Sequence, residues 1–550
     1  MNYTLDGVSM NAPGNWGEII HQRQSESART VLAVRVGGEI LPLSATPKDG
    51  ENASSVTYQD TEGRRVYERT LRFILILAVE KLFPRMQARL EHSFGHGIYV
   101  HFTGEAQLNY KAIRSVDREM RAIIERDLPF TEITLPREEA ARYFDAHNQP
   151  DRARLVRDDP HETCKLQECG GHRENSGGVI APSTGYARVF SLMLYLPGVM
   201  LMMPDPKDPE RVAPFRDLPK LMQTYVESAR WASILDCSNV TDLNKMVKER
   251  KLREFIRVNE ALHEKSITQI AEQFVLSGAR VLLIAGPSSS GKTTLANRLI
   301  IALRVMGLRP MKLSLDDYYL DRDQIPLDEF GERDFERLDT LDVPLINEHL
   351  VRLLQGEEVH VPLFDFKAGT RKQETKLVTA GADQPILVEG IHGLNDALTA
   401  EIARNMKFKV YISALTTLNL DEYSRIRTTD ARLLRRMVRD HHFRGASPER
   451  TMSMWPSVRR GEENYIFPFQ EQADVMFNSS LIYEMTILKK YVYPMLTAIP
   501  PSNPSYALAD RLTHFLNYFR SADVEDEIPP NSILREFIGD SCFYREDENE

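Results

Sequence analysis

Residues 286 to 293 read G-P-S-S-S-G-K-T, two glycines flanking four residues, followed by a lysine and a threonine. Glycines permit a tight loop whose backbone N–H groups surround a phosphate at the start of a helix. Gly286, Pro287, Ser288, Ser289, Ser290, Gly291, Lys292, Thr293 and Thr294 are therefore candidates for gripping a nucleoside triphosphate. In that arrangement Lys292 reaches the β- and γ-phosphates and the Thr293 hydroxyl ligates Mg²⁺. The flanks agree: 281–285 is an apolar strand, and 294–306 reads as a helix stopped at Gly307. A chance match in a Gly/Ser-rich turn would lack both.

Two carboxylates follow at strand ends. A strand over 309–315 leads into Asp316, and one over 385–388 leads into Glu389. Ligands of an open parallel sheet gather beyond the carboxyl ends of its strands. A carboxylate at 316 can accept the proton of an acceptor hydroxyl during phosphoryl transfer. Glu389 suits the water shell of Mg²⁺. The competing readings are a turn cap at Asp316 and a solvated strand end at Glu389. Between Thr429 and Gly445, Arg432, Arg435, Arg436 and Arg439 recur at helical spacing, with Arg432, Arg436 and Arg439 on one face. Alone this would be a solvated face; after a phosphate loop it reads as a mobile lid whose guanidiniums neutralise the transferring phosphoryl.

The elements that must position these groups divide the 550 residues, more than one ordinary domain holds. The chain is 42% hydrophobic and 27% charged, which excludes wholesale disorder, and its net charge of −10 argues against a nucleic-acid-coating surface. Four cysteines are too few for a disulfide scaffold. The first residues carry no basic and apolar leader, and no stretch is long enough to span a membrane, so a cytoplasmic protein is expected. Residues 1–70 hold short β-type runs such as Val31 to Val36, a helix is expected from Glu68 with Leu71, Ile74, Leu75, Ala78 and Leu82 on one face, and 85–235 reads as α+β. From Asp242 to Ser277 the alternating charges predict a solvated helix pair, with Ser266 an N-cap inside it. Residues 278–495 alternate strand, loop and helix, the pattern of a parallel α/β sheet. A last helix, 506–519, carries Leu508, Leu512, Phe515 and Phe519 on a stripe expected to dock on the α/β core or a partner subunit, before an acidic end at Asp547 to Glu550.

From about Arg280 to Lys490 the chain resembles the uridine kinase and phosphoribulokinase family of P-loop kinases. The S-L-D-D-Y-Y run from Ser314 to Tyr319 is similar to that family's S-x-D-S-F-Y segment, and the resemblance makes Asp316 the base and places Tyr319 at the substrate. F-E-R-L-D-T-L-D, from Phe335 to Asp342, is similar to F-D-H-P-x-A-F-D, whose first Asp contacts ribose hydroxyls; Glu336 stands there. V-P-L-F-D-F-K-A-G-T-R, from Val361 to Arg371, is similar to V-P-x-Y-D-F-x-x-H-x-R, which adds Phe364 and Arg371 to the substrate side. L-V-E-G-I at Leu387 and the run from Arg432 to Gly445 match the family's acidic strand and arginine lid, with Arg432 on the substrate. The base-reading Tyr and His of uridine kinases are replaced by Phe364 and Gly369, a flat apolar face beside an expected empty space. Base selection is then expected to relax or redirect, admitting a purine or a base-free ribose compound.

Residues 1–66 resemble a small TGS-type β-grasp module. E-H-S-F-G-H from Glu91 to His96 and E-C-G-G-H from Glu168 to His172 resemble pieces of the second additional domain of threonyl- and alanyl-tRNA synthetases. The combination resembles a bacterial family of two-part nucleoside kinases. His92, His96, Cys169 and His172 are candidates for a tetrahedral Zn²⁺ site, the histidines sharing a face if their segment is helical. Gly95 and Gly97 weaken a helix there, and a metal-free vestigial pocket is the favoured alternative.

The expected fold is multidomain: a β-grasp-like module over 1–66, an α+β domain over 67–235, a helical connector over 236–277, a P-loop NTPase parallel sheet with flanking helices over 278–495, and a helix and tail over 496–550. The expected function is ATP- and Mg²⁺-dependent transfer of a γ-phosphoryl group to a hydroxyl of a nucleoside or related ribose-containing small molecule. Lys292, Asp316, Arg435, Arg436 and Arg439 would carry the chemistry, with Thr293 and Glu389 on Mg²⁺. The alternative is an RNA- or ribosome-associated regulatory NTPase using the synthetase-like modules. A homo-oligomer fits either reading; a membrane partner fits neither.

Overall fold

The computed structural model describes residues 2–23, 28–104, 109–175, 177–325, 333–365 and 368–544. The Asp547 to Glu550 run and Phe366-Lys367 of the 361–371 segment lie outside the described residues. No described helix is long and apolar enough to cross a membrane.

The chain opens with a five-stranded sheet in the order Val8–Met10, Tyr3–Leu5, Asn52–Thr57, Val31–Val36, Glu39–Leu41. Its helix, Trp16–Arg23, buries Trp16, Ile19 and Ile20. The next helix runs from Thr61 to Leu82, starting earlier than its apolar stripe predicts. Gly63 is the reason: a Cβ there would lie 1.7 Å from the Thr57 carbonyl oxygen, so the bare backbone lets the first turn press on the strand end. Leu71, Ile74, Leu75 and Ala78 are buried as their spacing predicts. Two antiparallel sheets follow. One orders Ser191–Tyr195, Gly198–Met202, Gly97–Gly104 and Met86–Phe94; the other orders His172–Asn175, Thr163–Cys169 and Thr131–Pro136.

The charged stretch after residue 240 departs from expectation. It forms helices Val240–Lys248 and Leu252–Ser277, and the second passes through Ser266, whose hydroxyl donates to the Leu262 carbonyl at 3.0 Å instead of capping a new helix. Nor is it a solvated connector. Phe255, Ile256, Ile267, Ile270, Ala271 and Phe274 are buried in one core with the phosphate-loop helix. Most of its charges occupy the outer face, while Glu260 is buried and accepts from the Tyr483 and Ser532 hydroxyls, both at 2.6 Å.

That core covers one side of a five-stranded, all-parallel sheet, ordered Met311–Ser314, Ile386–Glu389, Val281–Ala285, Lys407–Ser413, Val475–Asn478. A second apolar cluster, including Leu313, Leu350 and Val388, covers the other side. Burial on both faces explains the unbroken apolar run V-L-L-I-A at 281–285. The helix Tyr506–Asn517 buries Leu512 and Leu516 in the same core, and Leu508 and Phe515 pack against it. The chain then returns through Ile528, Ile533, Leu534 and Phe537, all buried there too.

The two halves share interior. Tyr423, in the loop after the Lys407–Ser413 strand, belongs to the core around the Thr61–Leu82 helix. Glu68 on that helix accepts from Arg427 at 2.7 Å and lies 3.5 Å from Arg425. Burial would push its carboxyl up, but Arg427, Arg425 and Arg72 hold it down at about 2. Arg152 is likewise buried against Asp421 at 3.2 Å. Buried charges survive only when paired, and here the partners come from opposite halves.

Candidate active site

The phosphate loop leaves the middle strand of the sheet. A Cβ on Gly286 would lie 2.0 Å from the Ile412 carbonyl oxygen, so only glycine lets the loop pass the neighbouring strand. Gly291, at φ +88°, turns the chain into helix Lys292–Val305. Ser289 holds the left-handed region at φ +59° without being glycine, and two arginines pin it and its neighbour. Arg435 donates to the Ser289 carbonyl at 3.4 Å and Arg432 to the Ser288 carbonyl at 3.1 Å.

The expected mobile arginine lid is therefore corrected. Arg432 and Arg435 lie on the inner face of helix Thr428–Arg444, 1% and 0% exposed. Arg432 is clamped by Glu462 at 2.7 Å, and Arg435 by Glu484 at 3.1 Å and the Ser479 carbonyl at 2.8 Å. They brace the loop from behind. Arg436 donates to the Ser288 hydroxyl at 2.8 Å and Arg439 to Asp440 at 2.8 Å, both half-buried on the cleft side.

The carboxylates meet the loop at the sheet's carboxyl edge. Thr293 Oγ1 donates to Glu389 Oε1 at 3.2 Å, and Lys312 Nζ lies 3.9 Å from the same oxygen. Burial pushes the Glu389 carboxyl up, Lys312 and Lys292 pull it down, and Asp316 and Glu536 push it up again. Asp316 reaches solvent through the cleft, yet the surrounding protein still pushes its carboxyl up. Lys292, Arg444, Arg439 and Lys312 oppose that shift, which places Asp316 in the field of the loop lysine.

The residues present fit a nucleotide and a hard cation. Ser289 Oγ and Ser290 Oγ are buried without a hydrogen-bond partner, as donors aimed into a phosphate cradle would be. Lys292 Nζ donates to the loop's own carbonyls, Gly286 at 3.1 Å and Pro287 at 3.3 Å, so it lies along the loop. The Thr293 hydroxyl and the Glu389 carboxylate are oxygen donors of the kind Mg²⁺ takes.

The residues expected at the acceptor are Tyr319, Glu336, Phe364 and Arg371. The Phe364 ring is 5.7 Å from that of Tyr319. Glu336 backs onto Gly461, where a Cβ would lie 2.3 Å from its own Cβ. Burial and neighbouring Glu462 push its carboxyl up to about 7, against Arg436 and Lys292. Arg371 is committed elsewhere: it donates to the Tyr319 carbonyl at 2.9 Å, the Tyr318 carbonyl at 3.1 Å and Asp342 at 3.1 Å, so it positions Tyr319. The expected empty space at Gly369 is also corrected. Gly369 sits at φ +74°, and a Cβ there would lie 2.7 Å from the Arg322 guanidinium. Arg322 fills the space.

The zinc candidates are not brought together. His92 lies in strand Met86–Phe94, not a helix, and stacks on Tyr225 with centroids 3.7 Å apart. His96 falls in the turn after that strand. Cys169 and His172 belong to a different sheet, where the helix Thr61–Leu82 presents Phe73 and Leu77 to Cys169. His172 pairs with Glu80 at 2.7 Å and lies 3.5 Å from Glu174. Among the described residues no group of three or more His, Cys, Asp or Glu could hold a metal ion.

Comparison with known proteins bears on both halves. The phosphoribulokinase/uridine kinase family profile matches residues 281–482. A uridine kinase of Deinococcus deserti is 30% identical over 197 residues, which span 36% of this chain and 86% of that enzyme. The chain belongs to the phosphoribulokinase/uridine kinase family. This family member has a second part: a threonine–tRNA ligase of Nitratidesulfovibrio vulgaris is 30% identical over 197 residues, 35% of this chain. The chain spans only 31% of that ligase's length. A Bacillus pumilus uridine kinase is 32% identical, with 84% of its length covered. The C-terminal half is thus a P-loop kinase domain joined to a ligase-like N-terminal part.

Sequence reasoning missed Glu462, Glu484, Lys312, Arg322, Glu536 and Tyr544. Lys312 was findable, since it precedes Asp316 by four residues on a strand already identified. The others carry no motif and reach the site only through the fold.

Proposed function

We propose that the protein transfers the γ-phosphoryl group of ATP to a hydroxyl of a nucleoside or related ribose-containing small molecule. The observation that carries this reading is the meeting of Asp316, the Thr293–Glu389 pair and Lys292 at one sheet edge. ATP supplies the phosphoryl group, and Thr293 and Glu389 would hold Mg²⁺, which would supply charge neutralisation at the phosphate oxygens. Lys292 and the backbone N–H groups of Ser289, Gly291, Lys292 and Thr293 hold the β- and γ-phosphates. Asp316 accepts the acceptor's hydroxyl proton as its oxygen bonds to phosphorus and the bond to the leaving ADP oxygen breaks. Arg436 and Arg439 face the developing charge, while Arg432 and Arg435 keep the loop in shape. Glu336 holds the acceptor's vicinal hydroxyls, and Tyr319 and Phe364 supply the ring surface against its base.

The test is nucleotide turnover with and without a panel of ribonucleosides and sugar phosphates, products identified by mass. ADP release that depends on an acceptor, with a phosphorylated product, supports the kinase. The ligase-like N-terminal part favours one rival, a regulatory NTPase acting on RNA; RNA-stimulated ADP release without phosphorylated product would establish it and overturn the kinase.

A further inference from the structure

The junction between the two parts gathers more positive charge than it pairs. On helix Thr61–Leu82, Arg65, Glu68, Arg69 and Arg72 stand at i, i+3, i+4 and i+7, one face of the helix. Arg425 and Arg427 meet that face from the loop before helix Thr428–Arg444. The one carboxylate of Glu68 is shared by three guanidiniums: Arg427 at 2.7 Å, Arg425 at 3.5 Å and Arg72 at 3.9 Å. Asp430, in the first turn of the second helix, is taken up by Arg511 through bonds of 2.7 and 2.8 Å. Neighbouring Glu62 pairs with Arg35 at 3.3 Å, and Asp421 with Arg152. Arg65, Arg69, Arg72, Arg425, Arg427 and Arg511 are thus left with Glu68 and Asp430.

The hydrogen-bond donors show the same excess. The Nε atoms of Arg72, Arg425 and Arg511 are buried without an acceptor. The Arg425 side chain is 11% exposed, and its 3.5 Å approach to Glu68 is longer than a good hydrogen bond. Among the described residues no hydrogen bond or ion pair meets the half-buried Arg65 guanidinium. Arg69 donates to the Val179 carbonyl beside Gly178, where a Cβ would lie 3.0 Å from its Nη2. Burial pushes both Arg65 and Arg69 down to about 9; Arg511 and Arg427 add to the first shift, Arg72 and Arg427 to the second. Guanidinium forks match phosphate oxygens, and a phosphate dianion brings the charge this face lacks. A nucleic-acid backbone needs a basic track, and a recess at one junction of a chain with net charge −10 favours a compact ligand instead.

We propose that this cluster is a second binding site, separate from the donor loop, for a phosphate-bearing small molecule held by Arg65, Arg69 and Arg427 where the two parts meet. Arg427 directly precedes helix Thr428–Arg444, and further along that helix Arg432 and Arg435 hold the Ser288 and Ser289 carbonyls. One helix therefore carries both the anion site and the brace of the phosphate loop.

The experiment is calorimetric titration of pyrophosphate into the full chain carrying Lys292→Met, which disables the donor loop, with and without Arg65→Gln or Arg69→Gln. Pyrophosphate is expected to bind the Lys292→Met chain, and each added Gln to weaken it by roughly 10–100-fold, the loss of a charge-assisted hydrogen bond. Arg65 makes no internal bond, so its replacement leaves the fold intact. Melting temperature adds a readout that a merely structural arginine would not give. Without ligand, Arg65→Gln should melt higher than its parent, because an unpaired like charge is gone; in saturating pyrophosphate it should melt lower. Absence of pyrophosphate binding to the Lys292→Met chain, or binding that neither Gln changes, overturns the site and leaves the kinase reading standing. A 5′-hydroxyl oligoribonucleotide that binds this chain more tightly than pyrophosphate, and loses that binding with Arg65→Gln, overturns the small-molecule assignment in favour of RNA.

Discussion

One oxygen of the Glu462 carboxylate accepts the backbone N–H of Ser288 at 3.1 Å and also takes the Arg432 guanidinium. A loop amide, a buried cation and a carboxylate are thereby locked together at the mouth of the phosphate loop. The same charge is felt by Glu336, which packs against neighbouring Gly461 and is raised first by burial and then by Glu462. The carboxylate that grips the loop thus adds to the shift that burial gives Glu336.

With its carboxyl moved from 4.5 to about 7, Glu336 is protonated on the acid side of neutrality and ionised above it. On the proposed reading the ionised carboxylate accepts hydrogen bonds from two hydroxyls, and protonation removes part of that acceptor capacity. The kcat/KM for ribose acceptors is expected to rise as pH passes through about 7, and Glu336→Gln should flatten that limb. Stability runs the other way. The folded chain binds this proton more tightly than the unfolded chain, so the Glu336 contribution falls as pH rises from 4.5 to about 7. A pH series of kcat/KM beside a pH series of melting temperature checks both signs.

Asp316→Asn removes the proposed base without altering the phosphate loop. Turnover is expected to fall by about 10²–10⁴ with nucleotide affinity nearly intact. Steady-state turnover on the best acceptor, paired with nucleotide titration, separates the two quantities. Full turnover in the variant removes Asp316 from the role of base.

Two adjacent arginines should respond differently. Arg435→Ala leaves Glu484 buried and unpaired, a loss of about 3–5 kcal/mol, and denaturant unfolding should show it directly. Arg436→Ala removes a half-buried cation from the cleft side and should lower kcat with a much smaller change in stability.

At the acceptor wall, Arg322 stands where a base-reading histidine would have to fit. Gly369→His is expected to fail as a means of restoring pyrimidine selection, because φ +74° and the guanidinium both oppose a side chain. Arg322→Ala should raise KM several-fold for base-bearing acceptors and leave KM for ATP unchanged. The wild type, lacking a directional pair against the base, should accept at least one purine nucleoside or base-free ribose compound in competition with uridine. A substrate panel on the three proteins decides each point.

The loop, Asp316 and Glu389 were legible because each lies next to the strand that positions it, so local sequence carried both residue and context. Arg432 and Arg435 were legible as helical residues but not as buried ones, since Glu462 and Glu484 stand 30 and 49 residues away. Charge count misled at Leu252–Ser277, where a buried stripe lies under a charged surface. At His92 the spacing of two histidines suggested a helix face, whereas the glycines beside His96 close a hairpin between Met86–Phe94 and Gly97–Gly104. Glu536 was beyond reach: it meets Thr294 across 242 residues, and no local pattern encodes that return.

The insertion of Tyr423 into the core of the other half has a consequence for genetics as much as for folding. A chain whose two parts share interior and buried ion pairs across Glu68–Arg427 and Arg152–Asp421 has no clean seam at which to be cut. Heating should melt it in one cooperative step, and the C-terminal half expressed alone would surface with Arg427, Arg425 and Asp421 stripped of their counter-charges. Lesions in the ligase-like half would then silence phosphorylation without any message passing between sites, simply because the catalytic half borrows part of its interior from its neighbour.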